Sequence, residues 1–173
     1  MKSTTLNSVF ACLLSVCSFA WADQPNLPKQ LNPRIEFAQK MDGEQRPGGR
    51  QCSIGIPESG HKFNKMSDTV CKNDVVTFFR FVDVPSTTNV HLSSELSCAG
   101  GDWMFGVRAI KHPTTSKWVD IRNLVNVKEG TIIQPGLIKS HDRYSSGNIE
   151  GKLSCATVYA PGGSASVAEG ERP

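Results

Sequence analysis

The chain lacks the short motifs that mark many metal sites and hydrolases. Its 173 residues contain no Cys-x-x-Cys pair, and the four histidines are too far apart for a His-x-x-x-His metal site. The Gly-x-Ser-x-Gly turn that carries the nucleophile of many serine hydrolases is absent as well. These absences argue against a zinc centre and against a serine-hydrolase active site.

The sequence also lacks a large excess of charge of either sign, and after residue 22 it lacks a long apolar run. It carries 19 Lys and Arg against 16 Asp and Glu, a net charge of +3. Such a small excess does not indicate the basic field of a nucleic-acid-binding protein. No apolar run after residue 22 approaches the length of a membrane span, so we expect a soluble mature chain without a membrane partner.

The first 22 residues have the layout of a secretory signal peptide. Lys2 is the only charge before Asp23, and the apolar run over residues 9–21 is too short to span a bilayer. Small residues before Asp23 predict cleavage after Ala22. A lipoprotein signal ending at Cys17 is the alternative, but the bulky Val16 disfavours it.

Cleavage would leave four cysteines, which in an exported chain predict two disulfide bonds because the compartment is oxidising. Four cysteines allow three pairings, and we expect the sequential one. It joins Cys52 to Cys71 and Cys98 to Cys155. The localisation predicted from these features is secreted or periplasmic.

Composition divides the rest of the chain into three parts. Residues 23–50 are rich in Pro, Gly and polar residues and predict an extended or disordered arm, with one short helix as an option from Pro33 through Met41. This arm would be a linker, a pro-segment or a partner-binding segment. Residues 51–160 form the predicted folded domain, and residues 161–173 form a flexible tail.

Several short β-forming runs lie within residues 51–160. Residues 75–84 alternate, with Phe79 and Phe81 on one face, and residues 103–110 place Trp103, Phe105 and Val107 on one face. Further strands are predicted at 53–56, 89–92, 131–134, 136–139 and 148–159, and a short helical turn near residue 120. The expected fold is an all-β, disulfide-stapled β-sandwich with at most one short helix.

Residues 73–77, Asn-Asp-Val-Val-Thr, resemble the calcium-binding signature of the βγ-crystallin superfamily. Phe78 stands where that family has Ser. The run over residues 90–101 resembles the family's strand and turn, with Cys98 at its aromatic position and Gly100 at its glycine, although Ser93 replaces an expected aromatic corner residue. The resemblance covers about residues 52–110 and implies a Greek-key sandwich.

The resemblance also implies a calcium site as an option, with Asn73, Asp74 and Thr77 as its ligands. Carboxylate, amide and hydroxyl oxygens are ligands that this hard cation accepts. The alternative is a turn in which the Asn and Asp side chains cap their own backbone.

Two histidines support the alternative hypothesis that the chain is an enzyme. His112 and His141, with Lys111 to stabilise phosphoryl charge, would suit a small secreted toxin or nuclease. Both histidines lie in predicted turns, where imidazoles are usually solvated.

The main functional hypothesis is protein binding by loops on a rigid β scaffold. The expected function is that of a secreted, bacterial, non-enzymatic domain that inhibits a secreted hydrolase, specifically a protease, of a host or competitor. Some βγ-crystallin-like secreted proteins are protease inhibitors and others are toxins, so the resemblance implies both roles. A calcium-stabilised envelope protein is a third hypothesis. The expected binding residues are Pro85, Ser86, Thr87, Thr88, Lys111, His112, Pro113, Thr114, Lys117 and Trp118.

Overall fold

The structure is a computed structural model that describes residues 31–162. Residues 31–162 form two antiparallel β-sheets with two short 3-10 helices, Met66–Asp68 and Ile121–Leu124. No helix in this part of the chain is long and apolar enough to span a membrane. The predicted signal peptide and most of the predicted tail lie outside the described residues.

The smaller sheet has four strands in the order β2-β1-β4-β7. Their bounds are β1 Arg34–Met41, β2 Pro47–Gly55, β4 Phe78–Val82 and β7 Val119–Asp120. Strand β1 lies in the middle and pairs with β2 on one side and β4 on the other.

The larger sheet has six strands in the order β3-β10-β5-β6-β9-β8. Their bounds are β3 His61–Lys65, β5 Asn89–Ser93, β6 Trp103–Ala109, β8 Ile132–Gln134, β9 Leu137–Tyr144 and β10 Cys155–Tyr159. Strands β3 and β8 are its two edges.

Alternating side chains from both sheets meet in one apolar core. Phe79 and Phe81 of β4 are fully buried in it, as are Trp103, Phe105 and Val107 of β6. The period of two that predicted these faces is confirmed, because one face of each strand packs on the opposite sheet. The predicted all-β sandwich and the helical turn near residue 120 are also confirmed.

The predicted arm is wrong for residues 34–50, which contain β1 and the beginning of β2. Ile35 and Phe37 are fully buried, so this segment contributes to the core as a strand and not as a short helix. Its Pro and Gly residues lie where strands tolerate them. Pro47 is the first residue of β2, and Gly49 has φ +66° beside a register shift between the two strands.

Both disulfide bonds join the predicted partners. Cys52 of β2 bonds to Cys71, and Cys98 bonds to Cys155 of β10, with Cα atoms 5.4 and 5.3 Å apart. They close loops of 19 and 57 residues, worth roughly 3 and 4 kcal/mol in lost unfolded-chain entropy.

Candidate functional site

Two connections meet at one end of the sandwich. Residues 83–88 join β4 to β5, and residues 110–117 make up all but the last residue of the connection from β6 to β7. Together we call these two segments the loop pair. Val84 and Thr114 exchange two backbone hydrogen bonds, from Val84 N to Thr114 O (2.9 Å) and from Thr114 N to Val84 O (2.7 Å). The two predicted binding loops are therefore one continuous surface.

Further hydrogen bonds fix the loop pair from several sides. The Asp83 amide donates to Thr115 Oγ1 (2.9 Å), and Thr115 Oγ1 donates to the Asp83 carboxylate (3.2 Å). The Thr87 amide donates to Ala109 O (2.8 Å), and Thr114 Oγ1 donates to Lys111 O (2.6 Å). The backbone of both loops is thus held by groups within the domain.

The tip of the loop pair is exposed and carries two lysines, Lys111 and Lys117. Thr87, Lys111, His112, Pro113 and Lys117 are exposed. Pro85 and Ser86 are half-buried, whereas Thr88 and Thr114 are buried. The exposed members of the predicted set can contact a partner, while Thr88 and Thr114 contribute to the support beneath them.

Trp118 does not belong to the exposed surface that the sequence suggested. Its side chain is only 7% exposed and lies under the Arg80 guanidinium, 4.9 Å from the ring centroid. The Trp118 amide donates to the side chain of Gln45, which lies beside it. Trp118 is buried because it leads into β7, whose pairing with β4 places the ring against the outer face of the four-stranded sheet.

A groove of about 740 Å³ runs across that outer face, with Trp118 in its lining. Glu36 lies at its floor between Arg34 Nη2 and Arg80 Nη2, each 2.6 Å from a carboxylate oxygen. Burial alone would raise the pKa of Glu36, but the hydrogen bonds and charges of Arg80 and Arg34 together lower it. Glu36 is therefore a paired carboxylate, unlike a general acid that must hold a proton near neutral pH.

A second cluster lies on the solvent side of the six-stranded sheet. The rings of His91 in β5 and His141 in β9 stack with centroids 5.3 Å apart, although β6 runs between their strands. Gly106 of β6 is paired with both and makes the stack possible. A Cβ at Gly106 would lie 2.6 Å from the His141 Cβ and 2.6 Å from Ser140 Oγ.

His91 is held neutral within this cluster. Ser140 Oγ donates to Asn89 Oδ1 (2.6 Å), so the Asn89 amide nitrogen faces His91 Nε2 at 3.2 Å and donates to it. Burial lowers the pKa of His91 to about 4, with a further contribution from the charge of His141, while Glu129 opposes the shift. Sequence reasoning missed this cluster, although the alternation of β5 separates Asn89 and His91 from the core residues.

His112 and His141, the catalytic pair predicted from sequence, do not stack on each other. The ring that stacks on His141 is that of His91, whereas His112 is exposed in the loop pair. His141 Nδ1 lies 3.6 Å from Glu129 Oε1. His112 and His141 therefore lie in different environments, His112 in an exposed loop and His141 beside Glu129 and His91.

The three predicted calcium ligands lie near the segment before β10. Thr77 Oγ1 accepts from the Gly151 amide (2.9 Å), and Asp74 accepts from Ser154 Oγ (3.3 Å) and lies 3.5 Å from Lys152 Nζ. Asn73 Oδ1 is buried without a hydrogen-bond partner. Within residues 31–162, no group of three or more His, Cys, Asp or Glu side chains is placed to hold a metal ion.

Comparisons with protein-family models, with curated proteins and with solved structures find no match to this chain. The resemblance to βγ-crystallins stays a prediction.

Proposed function

We propose that the chain is a secreted protein-binding domain that inhibits a secreted hydrolase, with proteases as the target class. The loop pair enters the cleft of the target, which belongs to a host or competitor organism. The observation that carries the proposal is the hydrogen bonding within the loop pair, above all the two bonds between Val84 and Thr114.

This bonding lowers the free energy cost of association. Binding normally requires loops and side chains to be ordered, and a loop that is already held in place loses less conformational entropy. The exposed tip of Lys111, His112 and Pro113 stands on buried Thr114, whose hydroxyl donates to the Lys111 carbonyl. A cleft with acidic groups at its rim is the complement of the exposed lysines Lys111 and Lys117.

The two disulfide bonds support the proposed location. Disulfides persist in oxidising compartments and are rare in reducing ones. Secreted hydrolases act in the same compartments. Export of this chain is part of the proposal and rests on the predicted signal peptide.

The test is inhibition by purified protein of a panel of secreted cysteine, serine and metalloproteases. We expect inhibition of at least one class at micromolar concentration. A variant carrying Lys111→Ala and His112→Ala should weaken that inhibition about tenfold or more, as expected for central contact residues. Lys128→Ala is the matched control, because Lys128 is an exposed lysine outside the loop pair.

Two results would contradict the proposal. One is the absence of inhibition across all three protease classes at micromolar concentration. The other is inhibition that the double variant retains in full while its unfolding curve shows an intact fold.

A further inference from the structure

Strand β3 is one of the two edges of the six-stranded sheet. It pairs with β10, and no strand among residues 31–162 lies on its other side. His61, Lys62, Phe63 and Lys65 are exposed, and only Asn64 is half-buried. An exposed edge of this kind has backbone groups to which another strand can bind.

The register with β10 shows which backbone groups these are. Met66 N donates to Ser154 O and Ala160 N donates to Gly60 O, both at 2.8 Å. In an antiparallel pair, hydrogen-bonded residues alternate with residues whose backbone groups point away. Lys62 and Asn64 therefore face β10, like Gly60 and Met66. The N–H and C=O groups of His61, Phe63 and Lys65 point outward from the edge.

The same three residues place their side chains on the solvent side of the sheet. Phe63 is 56% exposed and lies edge-on to the His61 ring, with centroids 4.9 Å apart. The His61 ring in turn lies 5.5 Å from the Tyr159 ring of β10. An added strand would find an aromatic neighbour for an apolar side chain opposite Phe63.

The charge of β3 indicates whether a second copy of this chain or an acidic strand of another protein binds at this edge. Strand β3 carries Lys62 and Lys65 and no acidic residue, while Glu58 and Asp68 lie outside it on either side. A second copy of β3 would add two more lysines, and lysines on an edge strand disfavour such self-pairing. An acidic strand would instead meet opposite charge.

We infer that β3 is a docking edge for an extended, acidic segment of a partner protein, which adds as a seventh strand to the sheet. The backbone of His61, Phe63 and Lys65 provides the hydrogen bonds, Phe63 selects an apolar residue opposite it, and Lys62 and Lys65 select carboxylates opposite them. This edge is distinct from the loop pair, so the inference does not depend on hydrolase inhibition.

The probe is an acetylated and amidated heptapeptide, Glu-Glu-Val-Phe-Glu-Val-Glu, which in an antiparallel register places Phe opposite Phe63 and Glu opposite both Lys62 and Lys65. Its binding is followed by amide hydrogen exchange in the full mature chain. We expect the amides of His61, Phe63 and Lys65 to be protected only when the peptide is present. The amides of Lys62 and Asn64 should be protected with or without it, because they face β10. A peptide with Lys in place of Glu is the charge control and should not protect the edge.

Two variants separate charge from backbone bonding. Lys62→Glu with Lys65→Glu should weaken peptide binding about tenfold or more, whereas Lys128→Glu, a lysine outside β3, should not. Phe63→Pro removes an outward N–H without removing a bond to β10 and should weaken binding about fivefold.

Three outcomes would overturn the inference. The acidic peptide could fail to protect the three outward amides, or the basic peptide could bind as tightly as the acidic one. Concentration-dependent protection without peptide would show that a second copy occupies the edge. None of these outcomes bears on the loop pair, and failure of protease inhibition leaves the edge experiment unaffected.

Discussion

Lowering the pH from 7 to 4 tests the environment of His91. The folded protein holds this imidazole neutral beneath His141 and Tyr159, with the Asn89 amide donating to its Nε2 atom. Protonation would place a positive charge on a buried ring stacked against His141 and would remove the acceptor that Asn89 uses. The unfolded chain accepts the same proton at the ordinary pKa, so acid favours unfolding through His91.

The magnitude follows from the difference between two pKa values. An ordinary histidine has a pKa of 6.5, and the folded value of His91 is about 4. At about 1.4 kcal/mol for each pH unit, the difference corresponds to about 3 kcal/mol. Because the folded pKa is the lower one, this stability is present in full above pH 6.5. It is lost as the pH falls from 6.5 to 4.

The assay is urea unfolding at several pH values between 7 and 4, on wild type and on His91→Phe. Phenylalanine retains a ring beside His141 and Tyr159 but cannot be protonated. We expect the variant to be less stable at pH 7 by about 1 kcal/mol, the usual value of a lost hydrogen bond. Its stability should then fall less than that of wild type on acidification, by about 3 kcal/mol. His112→Phe controls for the loss of an exposed histidine.

One result would refute this reasoning. If His91→Phe keeps the whole pH dependence of wild type, His91 is not the group through which acid acts. Titration of the His91 ring protons by NMR provides a second measurement, and a midpoint near 6.5 would show that the imidazole is not held neutral as described.

Three further predictions concern stability. Gly106→Ala should lower the free energy of unfolding by about 1–3 kcal/mol, because the new Cβ collides with His141, and an unchanged melting temperature would contradict this. Calcium or a chelator should leave the melting temperature unchanged, because the Asp74 and Thr77 side chains already bind the segment before β10; a rise with calcium would support the predicted site. Replacing Cys98 and Cys155 together by Ser should cost roughly 4 kcal/mol in denaturant unfolding, and a loss below about 1 kcal/mol would show that the 57-residue loop is already restrained in the unfolded chain.

The predictable parts of the fold are those with strong local patterns. Strands β4 and β6 alternate clearly, and their apolar faces are the ones that the structure buries. Strand β1 was missed because the composition of residues 23–50 outweighed the short alternation of Ile35 and Phe37. Composition averages over a segment, whereas burial is decided residue by residue.

The candidate surfaces were predictable only in part. The loop pair follows from the turn residues after β4 and β6, so both segments were predicted as loops, and their role in binding stays a prediction. Trp118 was placed wrongly because its burial depends on Arg80 and Gln45, which are distant in sequence. The free edge of β3 depends on strand order, which no residue of β3 encodes by itself.

The sequence by itself determined the all-β class, the apolar faces of the clearest strands and the number of disulfide bonds, because these depend on side-chain period, turn residues and cysteine number. The tertiary structure alone decided which strands are neighbours. That order places His91 and His141 on either side of Gly106, buries Trp118 and leaves β3 at an edge. The physical reason is that each of these features is a contact, or the lack of one, between segments far apart along the chain, and no local pattern specifies it.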